Sequence, residues 1–166
     1  MKEILFNYTG YNLWANNRIA EMLLENKASA DKEIKSSFPS LKKTLCHIWG
    51  AEELWQMRLK GQSLPYVPGF DFSGDIKEAI EKSLAVSAAF KDLLAGKDEA
   101  WLQALCTYKD TRGNTHSQPH WQMIMHCMNH STYHRGQIIT MLREAGATKI
   151  TATDMIVYFR EMKNII

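Results

Sequence analysis

The chain has 166 residues, of which 45% are hydrophobic and 23% charged, with 20 basic against 18 acidic side chains for a net charge of +2. That size and balance describe one domain spanning 1–166, able to bury a core without disulfides or a structural metal. They argue against a nucleic-acid binder, since no basic run tracks phosphates, and against a membrane protein, since no apolar stretch reaches the roughly 20 residues of a spanning helix. The first residues, MKEILFNYTGYNLWANNR, put no apolar run before a small-residue cleavage site, so no signal peptide is read. Cys46, Cys106 and Cys127 are odd in number and form no CxxC, which fits free thiols in a reducing cytoplasm.

Residues 3–25 predict a first amphipathic helix: Ile4, Tyr8, Tyr11, Ala15, Ile19, Met22 and Leu23 follow the helical period, with Gly10 a mild weakness. The polar stretch 26–37 reads as a loop. Pro39 blocks helix upstream and Ser40 is a ready N-cap, so a second helix is expected from Ser40 to Lys60, stopped by Gly61. Its apolar face is wide, running from Leu41 through Ile48 and Trp55 to Leu59. The segment 61–74 holds two prolines and three glycines, too long for a tight turn, and is expected to cross the end of a bundle. Asp75 and Glu78 have capping-box spacing and open a third helix that runs to Gly96. Between 104 and 118 the turn-like DTRGN predicts a small β-hairpin. Pro119 opens a fourth long helix, ending at Gly146. Thr151 and Asp154 then suggest a capping box for a short helix over 152–163. No internal repeat or interdomain linker is visible. The expected fold is an all-α four-helix bundle with a long crossover connection, a β-hairpin before the last bundle helix and a short C-terminal helix.

Histidines give the sharpest functional clue. Five of the six lie between 116 and 134, and His126, His130 and His134 recur every fourth residue. Neighbours at that spacing differ by about 40° around a helix and roughly 6 Å along it, so two imidazoles on one face can share a transition metal. His126 and His134 are about 80° and 12 Å apart, so the three do not share one ion. Spacing leaves open which adjacent pair binds, and also leaves open ordinary core or surface histidines without metal. His47, on another apolar helix, is the best third ligand. Thr44, Gly50 and Ala51 on its face are small and are expected to leave room for a substrate.

The run PHWQMIMHCMNHSTYHRGQIITMLREAG, with LKKTLCHIWGAEELWQMRL around His47 and YNLWANNRIAEML near the start, resembles the DinB/YfiT-like superfamily. The resemblance covers nearly the whole chain in order. It implies a four-helix bundle binding a divalent metal through one histidine of the second helix and an HxxxH pair of the last bundle helix. Here these are His47, His130 and His134, and it is the resemblance that selects His130/His134 over His126/His130. It also implies a possible homodimer and a metal-dependent transfer of a low-molecular-weight thiol to small electrophiles.

Three neutral imidazoles leave coordination positions free, which suits chemistry better than a closed structural site, and both zinc and nickel suit imidazole. The alternatives are a non-catalytic metal-binding or stress-response bundle and a metal-dependent hydrolase. Hydrolysis would want a nearby base, and Glu52 and Glu53 are expected to project away from the face of His47. Gln137 lies on nearly the same face as His130 and is a candidate to support a ligand, the plainer reading being a surface amide. Asn129 and Arg135 are read as structural. His126 is read as buried and hydrogen-bonded, Cys46 and Cys127 as buried small side chains, and Trp14, Trp49, Trp55 and Trp121 as core more than pocket wall.

Overall fold

The computed structural model describes residues 1–163; the last three residues of the expected domain lie outside the described residues. Four long helices form the bundle: α1 (Lys2–Glu25), α2 (Leu41–Leu59), α3 (Ile76–Ala95) and α5 (His120–Glu144). A five-residue helix, α4 (Glu99–Gln103), and an antiparallel hairpin, β1 (Leu105–Lys109) and β2 (Thr115–Pro119), precede α5. A short helix, α6 (Met155–Lys163), follows it. Helices α1 and α2 each pack on α3 and on α5, so α1 faces α2 across the bundle and α3 faces α5. This is the expected bundle with its hairpin and terminal helix. Among the described residues no helix is long and apolar enough to cross a membrane.

The ends of the helices follow local chemistry. The Ser40 hydroxyl accepts from the Lys43 backbone N–H, and Asp75 and Glu78 form a reciprocal capping box. Helices α2 and α5 both end in Schellman turns, with Gly61 and Gly146 in the left-handed conformation. The five-residue α4, capped by Asp98, was not foreseen, being too short to show a period. Helix α6 starts later than the expected 152, and the Thr151–Asp154 capping box is not made. Side chains of α1 hold this backbone extended instead: Arg18 donates to the Ala152 carbonyl and Tyr11 to that of Thr153. Gly10 is what lets α6 approach, because a Cβ there would lie 2.5 Å from the Tyr158 hydroxyl.

Two long connections shape the bundle. Residues 26–40 join the diagonal pair α1 and α2. Residues 60–75 join the neighbours α2 and α3 by first running back along α2. The Pro68 carbonyl seats on Gly50, Gly69 sits against the Cys46 carbonyl and the Trp49 ring, and Lys43 donates to the Phe70 carbonyl. A Cβ at Gly50 would stand 1.7 Å from the Pro68 oxygen. The room that Gly50 leaves is therefore filled by the chain's own loop. Thr44 is likewise buried, donating to the Ser40 carbonyl. This corrects the expectation that small residues on the His47 face leave space for a substrate.

The apolar core has two main parts, besides a small cluster of Tyr11, Ala15 and Tyr158. One is built around Ile19, Leu45, Ile80 and Leu142, the other around Leu5, Phe90, Leu102 and Ile124. Each fully buried side chain of this size contributes roughly 1.5–3 kcal/mol. Between the two halves lies a polar layer contributed by all four long helices. Glu52, 0% exposed, accepts from Asn12, Asn16, Ser87 and Ser131. Arg135, 1% exposed, donates to Asn12, Asn16 and Thr132.

Candidate metal centre

Helices α2 and α5 pack side by side, and their contact brings His47 to His130 and His134. The Nε2 atoms of His47 and His130 are 3.0 Å apart, and those of His130 and His134 3.2 Å. The group's ligand atoms all lie within 4.8 Å of one another, and no thiol or carboxylate joins them among the described residues. The one-turn stack of His130 and His134 follows from helical spacing. His47 reaches them because its helix is the neighbour of α5.

Supporting contacts fix the rings. Gln137 donates its amide to Ser37 and to the Tyr133 hydroxyl, so its Oε1 is the acceptor for the His134 Nδ1–H at 2.7 Å. That assigns the proton of His134 to Nδ1 and leaves Nε2 with a free lone pair. Phe38 stacks on His47 with ring centroids 4.2 Å apart, and Tyr133 meets His134 edge-on at 4.9 Å. His130 Nδ1 is buried with no hydrogen-bond partner.

The electrostatics favour neutral imidazoles. Burial, then the field of His134, pushes the His47 pKa down to about 4. Burial, with His134, His47 and His126 adding to it, pushes His130 down to about 3. Burial also lowers His134, opposed by the bond to Gln137. Neutral rings with inward lone pairs are the form a metal requires, and three converging Nε2 atoms fit an ion.

A cavity of about 640 Å³ opens beside His47, walled by Phe38, Pro39 and the loop residues Val67, Pro68 and Phe70, with Lys43 and Asp71 as its charged members. The 60–75 connection, together with Phe38 and Pro39, makes this space. Phe38 and that loop carry no helical period, and neither was singled out from the sequence. Gln137, which was, bonds to His134, one turn from the His130 whose face it was read to share.

Other histidines fall elsewhere. His126 is exposed, makes no hydrogen bond among the described residues, and meets the Trp55 ring edge-on at 4.9 Å, contrary to the expected buried and bonded role. Its ring centroid is 6.1 Å from that of His130. His116 on β2 pairs with Asp110, and His120 opens α5 with Nδ1 donating to the Ala104 carbonyl. Cys46, Cys106 and Cys127 are free and buried, and burial raises their pKa values. Trp55 walls a second, smaller cavity, while Trp49 is buried in the core.

A helical bundle with three histidines converging from two of its helices defines a class, and comparison with known proteins agrees. The profile described as DinB family matches residues 1–161. The chain is 27% identical over 154 residues to the protein DinB of Bacillus subtilis (strain 168), covering 88% of each. Its fold is similar to the crystal structure of a DinB-like protein from Bacillus cereus ATCC 10987, with a TM-score of 0.68 and 19% identity over 86% of this chain and 91% of that one. The chain belongs to the DinB family. Family and geometry together are compatible with metal binding.

Proposed function

We propose that His47, His130 and His134 hold a divalent transition metal, zinc or nickel, and that the protein uses it to transfer a low-molecular-weight thiol to small electrophiles. One observation carries the reading: three imidazoles converge within 4.8 Å with no fourth protein ligand among the described residues. Structural zinc sites are normally closed by four protein ligands, whereas sites that do chemistry keep a position free. When bound, a divalent ion supplies a Lewis acid able to lower the pKa of a thiol toward neutrality.

The chain's own residues do the rest. Gln137 holds the His134 ring in the ligating tautomer, and Phe38 covers one face of His47. The apolar walls of the adjoining cavity suit the body of a small electrophile and exclude water from it. Hydrolysis is supported less well, because Glu52 is saturated by four donors in the polar layer and is not free to act as a base.

The test is elemental analysis of purified protein, followed by conjugation assays over a panel of thiols and electrophiles with and without chelator. The expected result is bound metal and conjugation that chelator abolishes and metal restores. Metal without turnover across a broad panel would favour the non-catalytic binder. Protein that takes up no metal would remove both readings.

A further inference from the structure

Two consecutive residues of the 26–40 connection touch both halves of the histidine group. Phe38 stacks on His47 of α2 with ring centroids 4.2 Å apart and lies 5.7 Å from the ring of His134 on α5. Beside it, the Ser37 hydroxyl accepts from the Gln137 amide at 2.7 Å, and Gln137 in turn accepts from His134 Nδ1 at 2.7 Å. The other acceptor of that amide, the Tyr133 hydroxyl at 3.1 Å, sits on α5 itself, one turn before Gln137. Among the described residues, then, Ser37 is the tie on the Gln137 amide from outside the helix. A glutamine has many rotamers to lose, so its carbonyl stays aimed at one ring only if the other end of the amide is held.

The base of this strap is fixed independently of the tie. Ile34 is buried, its N–H donates to the Pro39 carbonyl at 2.9 Å, and Ser40 caps α2. Between those points residues 35–37 are exposed. Among the described residues the Ser37–Gln137 bond is the only hydrogen bond that residues 35–38 make. Losing it releases the tip of the strap and leaves its anchors in place.

We propose that Ser37 is a positioning residue for the metal centre: from outside the ligand helices it holds Gln137, and through it the His134 ring, in the ligating orientation, so that docking of the 35–38 strap and metal binding reinforce each other. The proposal rests on the metal reading of the three histidines. Ser37 itself touches neither ion nor substrate. A His134 that ligates through Nε2 keeps its proton on Nδ1, which keeps the Gln137 carbonyl turned to the ring and the amide turned to Ser37. Whatever the docked strap adds to metal affinity, metal therefore adds to docking of the strap.

The test uses the full-length protein. Zinc affinity, measured by competition with a chelator, should fall about three- to tenfold in Ser37→Ala, the worth of one hydrogen bond, and stay within about twofold in Ser37→Thr, which keeps the hydroxyl. Added to Gln137→Ala, the Ser37→Ala change should cost nothing more, because the tie has already lost its partner. In metal-free protein the His134 ring nitrogen resonances should report the Nδ1–H tautomer for the wild type and a rise of the Nε2–H form in Ser37→Ala. Saturating zinc should slow trypsin cleavage after the exposed Lys35 by about threefold or more in the wild type, and by less in Ser37→Ala. Ser37→Ala that binds zinc like the wild type overturns the proposal. So does a double variant whose loss is the full product of the two single losses, a metal-free wild type with its His134 proton on Nε2, or wild-type cleavage after Lys35 that zinc leaves unchanged. With zinc bound by the wild type, the metal reading survives each of these results. Wild-type protein that takes up no zinc overturns both.

Discussion

Two polar regions lie in the middle of this bundle, and opposite charges are joined in only one of them. In the first, Asn12 and Asn16 each donate to Glu52 and accept from Arg135, so two buried opposite charges are joined through two amides. Ser87 and Ser131 complete the carboxylate, and only Arg135 Nε is left without a partner. In the second, three Nε2 atoms face one another with no carboxylate or thiol among the described residues joining them. Buried polar groups are normally satisfied, so a finished network reads as structure and an unfinished one as a place for a ligand.

The comparison can be broken at several points. The largest effect is expected from Glu52→Leu, which leaves the Arg135 charge buried without its partner. Urea unfolding should show a loss of about 3–5 kcal/mol. A neutral result would mean that the polar layer is not what holds the helices in place. Next comes Gly50→Ala, whose new methyl would meet the Pro68 carbonyl. Backbone cannot yield as a flexible side chain can, so a cost of about 1–3 kcal/mol is expected, with the 60–75 connection displaced from α2. Gln137→Ala sharpens the contrast from the other side. It should weaken metal binding by about 10–100-fold in a chelator competition while leaving unfolding within about 0.5 kcal/mol. Smallest is Ser40→Ala, which removes a helix cap and no hydrogen bond of either network: about 1 kcal/mol of stability, with metal affinity unchanged.

The first region shows what a sequence conceals and the second what it displays. Two histidines at i and i+4 on a helix announce themselves, because helical geometry alone puts them on one face. Gln137 was legible for the same reason. The polar layer was not, since it draws on four helices whose relative rotation no single period contains. Its trace was faint but present: Asn12 and Asn16, one turn apart, interrupt the apolar stripe of Tyr11, Ala15 and Ile19. Small residues beside His47 misled, because a glycine on a helix face can admit the chain's own backbone as readily as a substrate. The late start of α6 was hidden because the groups that hold residues 152 and 153 extended sit on α1, more than 130 positions away.

The most direct test of the metal centre is a cobalt(II) titration followed by visible absorption, on the wild type and on single alanine variants of His47, His126, His130 and His134. The wild type and His126→Ala should each bind a single ion tightly, and the other three variants should lose it by more than about a hundredfold. Wild-type protein that binds no cobalt, or a loss in His126→Ala equal to that in His134→Ala, would contradict the account.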